Sequence, residues 1–229
     1  MPFIIFLFLL LFIFPWLFLP FLLFFLLIFI LLPYGFTLYS LFTLIKVPRL
    51  IYEIATKRVV RKNHALEHAT INVLEEKYGE RPDISGISRE DGFIIRGDLL
   101  LDEVYDAAKE ALLRLKNGEY ELAIHPRCGT SVLVGNFVFA FIFLVLLVIT
   151  HTFSVWNVFF ALLFSAFIGK IGGEWIQRYF TTDPHVDDLE IVGIDYDVPI
   201  FDSYKFFLSP VGYLVKTETY KKARIIDIN

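Results

Sequence analysis

The chain has 229 residues, 56% of them hydrophobic, with 21 basic and 25 acidic side chains and a formal net charge of −4. That apolar share exceeds the roughly 45–50% of an ordinary soluble domain, and the mean hydropathy is +0.62. The mixed charge offers no basic face for nucleic acid, and the single cysteine excludes an internal disulfide.

Where the charges fall says more than their number. Residues 1–45 contain no Lys, Arg, Asp, Glu or His, and residues 132–169 contain only His151 of these types. A core helix keeps one face wet and cannot carry uncharged runs this long. The pattern predicts an integral membrane protein with the lipid bilayer as its first partner. It has about three α-helical spans and a small α+β cytoplasmic domain.

In chain order, Met1–Leu32 lacks a basic n-region and a small-residue cleavage site, so it is expected to be a retained anchor and not a signal peptide. As a helix, Pro2–Leu32 would be roughly 46 Å long, beyond the ~30 Å hydrocarbon core. One span kinked at Pro15 and Pro20 is expected, with a re-entrant pair as the alternative. Pro33-Tyr34-Gly35 then marks a turn, and Phe36–Ile45 an interfacial segment, which makes 1–45 the membrane anchor.

The second unit is 46–131, with the order α-β-β-α-β. Arg49–Tyr78 is amphipathic and carries Lys57, Arg58, Arg61 and Lys62, which suit anionic headgroups; Gly79 closes it. Ile84–Ser88 and Phe93–Gly97 flank Arg89-Glu90-Asp91-Gly92, where Asp-Gly signals a hairpin. Leu101–Lys116 is a helix by its stripe of Val104, Ala107, Ala108, Ala111, Leu112 and Leu115, ended by Asn117-Gly118. Tyr120–Ile124 reads as a third strand. A transmembrane hairpin follows over 132–171, from Val132–Thr150 and Phe153–Ile168. A tail over 172–229 holds strand candidates Leu189–Ile194 and Val211–Thr217. All basic residues lie in 46–131 or 170–229, which places both segments in the cytoplasm and the His151 link outside.

The sharpest chemical feature is His64-Ala65-Leu66-Glu67-His68. Helix positions four apart share a face, so the two imidazoles can close on one Zn²⁺ ion, as metal ligands with Glu67 beside them to take a proton from a water on that ion. This is the H-x-x-E-H order of the inverzincins. On the bland reading it is a polar helix face bonded to headgroups or backbone. A third protein ligand is needed, and Glu174, His125 and Cys128 are the candidates. Glu174 lies just past the last span, where its first reading is an interfacial acid at a helix end. His125-Pro126-Arg127-Cys128-Gly129-Thr130 joins the third strand to the second span. It is a metal-ligand cluster, a Cys–His nucleophile pair or a simple turn. Its position predicts that it packs against the His64–His68 helix. Thr181-Thr182-Asp183-Pro184-His185 reads as a turn or cap, and His151 as external.

Together, Arg61-Lys62-Asn63-His64-Ala65-Leu66-Glu67-His68-Ala69-Thr70 and Ile124-His125-Pro126-x-Cys128-Gly129-Thr130 resemble an uncharacterised family of small bacterial membrane proteins, a domain of unknown function. Gln177-Arg178 with Thr181-Thr182-Asp183 fits the same resemblance, which covers about residues 60–195. It implies a topology, candidate residues and a bacterial inner (plasma) membrane, but no activity. A looser resemblance is to pitrilysin-like metallopeptidases, in which an H-x-x-E-H helix also precedes strands and a helix. That likeness implies a membrane-bound zinc-dependent hydrolase, foremost a peptidase acting on a peptide substrate near the membrane surface. Here His64 and His68 would bind zinc and Glu67 would be the catalytic base. The alternative is a non-catalytic membrane scaffold in which the same residues form a closed metal site or a hydrogen-bonded polar cluster.

Overall fold

The computed structural model describes residue 5 and residues 18–80, 83–197 and 212–220. Of the two kinks expected, Pro15 lies outside them, and Pro20 lies in the first turn of the first helix. The first helix, α1, is Phe18–Thr56, 39 residues long, or about 58 Å at 1.5 Å per residue. It continues without a break through Pro33-Tyr34-Gly35 and through Pro48. The expected turn and separate interfacial piece are therefore corrected: an apolar run offers the backbone few other partners, so the helix persists past its prolines.

Lys57 separates α1 from α2, Arg58–Tyr78, which is the spine of the charged unit. A hairpin follows, β1 Ser85–Arg89 and β2 Gly92–Arg96, with Arg89 opposite Gly92 across a Glu90-Asp91 turn. Gly92 has φ +147°, and a Cβ there would sit 2.0 Å from the Val215 carbonyl oxygen, so only glycine lets the strands close. Helix α3 is Leu101–Lys116, with the Glu103 carboxylate accepting from the Leu100 N–H at 2.8 Å. The apolar pair is α4, Gly129–Thr150, and α5, Val155–Ile176, which runs on into a π turn over Gln177–Thr181. Three helical stretches, Leu19–Thr56, Gly129–Thr150 and Val155–Thr181, are long and apolar enough to cross a membrane.

The tail supplies β3, Leu189–Asp197, and β4, Gly212–Thr219. The sheet is antiparallel in the order β1-β2-β4-β3, so the last strand enters beside β2. The strand expected at Tyr120–Ile124 is instead a 3-10 turn, Tyr120–Ala123. The physical reason is competition at both ends. The Asn72 amide donates to the carbonyls of Leu122 at 2.9 Å and Ile124 at 3.1 Å, and β4 already occupies the β2 edge.

Phe93 pairs with Val215 and Ile95 with Tyr213. Alternation puts these four on one face of the sheet, where they join the buried faces of α2 and α3. Lys62, 2% exposed, pairs with Asp188 ahead of β3, and Asn63 bonds the Arg89 carbonyl and the Thr217 hydroxyl. Helices α4 and α5 approach through small residues: a Cβ on Gly169 would lie 2.7 Å from Gly135 Cα, and one on Gly173 2.7 Å from Ser131 Cα. Such close contact is how apolar helices pack where no hydrophobic drive separates them from their surroundings. It fixes where both helix ends meet α2.

Candidate metal centre

One turn of α2 buries His64, Glu67 and His68 together. The helix period puts the two imidazoles on one side, with ring centroids 4.3 Å apart. Each ring is tied by its Nδ1 to a backbone carbonyl. His64 Nδ1 lies 2.8 Å from the Thr181 oxygen, and His68 Nδ1 lies 2.8 Å from the Ala123 oxygen. A carbonyl only accepts, so each Nδ1 carries its proton and the neutral ring keeps its lone pair on Nε2. Burial lowers the His68 pKa, against the opposing pull of Glu67 and the Ala123 bond, and favours that neutral ring.

The two Nε2 atoms face the same point as the thiol. Cys128 Sγ is 3.4 Å from His64 Nε2, and His68 Nε2 is buried with no hydrogen-bond partner among the described residues. The three donor atoms all lie within 4.8 Å of one another, and all three residues are buried. A tetrahedral zinc with bonds of ~2.0–2.3 Å holds its donors about 3.5 Å apart. The three side chains fit such an ion with small adjustments.

The surrounding structure fixes the donors. Cys128 caps α4, its sulfur accepting from the Thr130 N–H at 3.3 Å. The π turn presents the Thr181 carbonyl to His64, and π turns are recurrent at functional sites. Gln177, fully buried, accepts from the His125 N–H at 3.1 Å and donates to Ser131 Oγ at 2.7 Å. Asn72 holds the turn that carries the Ala123 carbonyl. Carbonyl partners of this kind orient ligating histidines.

Glu67 is 5% exposed and turned toward the hairpin, where the Ser88 hydroxyl donates to its carboxylate. Burial raises its pKa, opposed by His68 and the Ser88 bond. Gly86 makes room for it, since a Cβ there would lie 2.1 Å from Glu67 Oε1.

The expected meeting of the His125–Cys128 turn with the His64–His68 helix is present. Cys128 joins the donor group, whereas His125 stands beside it, its ring centroid 6.1 Å from that of His68. His125 Nε2 is 3.4 Å from Glu75 Oε2, and Arg127 pairs with the same carboxylate. Burial lowers the His125 pKa more than Glu75 raises it. Glu174 is exposed on α5 and is not in the donor group. His185 is exposed next to Asp183, and His151 ends α4 away from the cluster. Sequence reasoning passed over Gln177, Ala123 and Thr181 as supports of the site. Only the Gln177…Thr181 spacing within the family-like stretch hinted at two of them.

A model of the family described as Domain of unknown function (DUF6391) matches residues 59–194, which contain every residue of the donor group. An uncharacterized protein of Picosynechococcus is 41% identical over 83 residues, 33% of this chain and 40% of that protein. The chain thus spans about 40% of the length of the curated relative it matches. No solved structure matches the chain.

Proposed function

The chain belongs to the family of the domain of unknown function DUF6391, whose description carries no activity, and we propose that it is a membrane-bound, zinc-dependent hydrolase. The single observation behind this reading is the paired lone pairs of His64 and His68, set by backbone carbonyls and aimed at Cys128 Sγ. Nitrogen and thiolate donors together suit zinc. Three protein ligands are the number a catalytic zinc site uses, the fourth position being left for water or substrate. A zinc ion there would polarise a carbonyl and make water a nucleophile near neutral pH.

Glu67 handles the proton. Burial raises its pKa, against the pull of His68 and the Ser88 hydrogen bond, the direction in which burial tunes carboxyls for proton transfer. The substrate is an amide- or ester-containing molecule at the membrane surface, with a peptide first in line. The three apolar helices cross a bacterial inner membrane, and the α+β unit lies on its cytoplasmic face.

The near-complete burial of His64, His68 and Cys128 favours a second reading, a closed structural site. Metal analysis of the detergent-purified chain separates the outcomes. The expected result is one zinc per chain, lost in His64→Ala, His68→Ala and Cys128→Ala and kept in Glu67→Gln. Azide added to the cobalt-substituted protein should shift its visible bands if a position is open. A spectrum indifferent to azide would support the closed site, and protein without transition metal would end both readings.

A further inference from the structure

The sheet has two edges, and the chain treats them differently. The outer strand β3 carries a bulge between Ile191 and Gly193 and the carboxylates of Glu190, Asp195 and Asp197, devices that keep an edge from pairing with a further strand. At the opposite edge β1 has none of these: Ser85-Gly86-Ile87-Ser88 holds no charge, no proline and no register shift. Its outer side takes no backbone hydrogen bond among the described residues.

The hairpin register says which groups that edge presents. Arg89 and Gly92 close a two-residue loop as a hydrogen-bonded pair, so Ile87 and Ser85 also turn their main chain toward β2. By alternation, the N–H and C=O groups of Gly86 and Ser88 point outward. The same two residues meet Glu67: a Cβ on Gly86 would fall on its carboxylate, and the Ser88 hydroxyl donates to it. Strand β1 runs back along α2, with Arg89 over Asn63 and Glu90 beside Lys57. Helix α3 packs on the other flank of α2, beneath β4 and β3. The helix period turns His64 and His68 about 140° away from Ala69 and Val73, which face the core. The donor face of α2 therefore lies out past the β1 edge and not under the sheet.

We propose that the open edge of β1 is the docking strand for an extended segment of peptide, laid alongside Gly86 and Ser88 and toward the donor face. Each of the two residues offers one N–H and one C=O, a row of main-chain groups that a peptide strand matches and a lipid or a free anion does not. A second copy of this chain is a poor occupant. A stable interface takes roughly 20–30 residues a side, and this edge is 5 residues long. The inference rests on the hydrolase reading for the fate of the peptide, and it names how that substrate is held.

The test is amide exchange, read by NMR on the detergent-purified full chain carrying Glu67→Gln, which blocks turnover under the hydrolase reading. The probe is an equimolar mixture of capped random hexapeptides. It should slow exchange at Gly86 and Ser88 by about tenfold and leave Ile87, already bonded to β2, unchanged. Peptides N-methylated at alternate residues keep one edge free and should still protect, whereas peptides N-methylated at every residue should not. Protection that survives full methylation would overturn the docking edge, as would no protection at Gly86 and Ser88 in a chain that remains folded by circular dichroism. His68→Ala should keep the protection, because main-chain bonds do not need the metal. Cleavage of the same mixture by the zinc-loaded chain is scored apart. Protection without cleavage keeps the docking edge and counts against the hydrolase reading; cleavage without protection keeps the hydrolase reading and ends the docking edge.

Discussion

Glu67 shares its burial with Gly86 so closely that neither is free to change alone. A methyl at position 86 would fall on the carboxylate, so Gly86→Ala must push Glu67 or β1 aside. Overpacking of that kind costs about 1–3 kcal/mol, readable by chemical denaturation in detergent. Zinc should stay bound, since His64, His68 and Cys128 are untouched, while any hydrolysis that depends on Glu67 should fall. Unchanged stability would mean that the carboxylate does not occupy this pocket. The pattern His64–His68 was legible because ligands four apart on a helix share a face, and Cys128 because it is the chain's one thiol. The carbonyls of Ala123 and Thr181 were not legible. Every residue has a carbonyl, and only the 3-10 turn and the π turn give these two their role.

At the scale of elements, the site depends on how tightly α4 and α5 are joined. A valine at Gly173 would press on the Ser131 backbone, one turn before Gln177 ties Ser131 to the His125 backbone. Gly173→Val should weaken zinc retention by about 10–100-fold, the usual scale for disturbing the supports of metal ligands; a competition titration with a chelator reads it. The tail is held by a different bond. Burial pushes the Asp188 carboxyl up, but the Lys62 hydrogen bond and charge outweigh it and leave the group below its ordinary range. A carboxyl depressed in the fold adds stability above its unfolded pKa and loses it as pH falls through the folded value. The thermal midpoint should therefore drop as pH falls below the ordinary aspartate range, and Asp188→Asn should flatten that acid limb. Helix α3 was legible from its stripe and α4 and α5 from their uncharged runs, whereas the helix expected over Arg49–Tyr78 is divided at Lys57, its first part belonging to α1; the β1–β2 hairpin was legible from Asp91-Gly92. Tyr120–Ile124 misled because β propensity does not say whether a sheet edge is free, and here β4 had taken it.

For the whole molecule, the membrane reading proposed above raises the question of which side the charged unit faces. Helix α4 begins at the donor group and α5 returns to it, so the 151–154 link lies a helix length away, about 33 Å for 22 residues. That distance matches the ~30 Å hydrocarbon core. Arg127, Lys170 and Arg178 stand at the donor-group end, whereas the link has no Lys or Arg. Moving the charged end across a membrane would carry those cations with it, which insertion disfavours. The expectation is an outward link and an inward α+β unit. Cys128 is buried and can stay in place, which leaves the donor group intact while single reporters are added. Thr152→Cys should react with an impermeant maleimide on intact cells, and Asn117→Cys should react only after lysis. Both positions are exposed, so silence at either reports sidedness and not burial. Labelling of Asn117→Cys on intact cells would invert the topology and place the donor group outside.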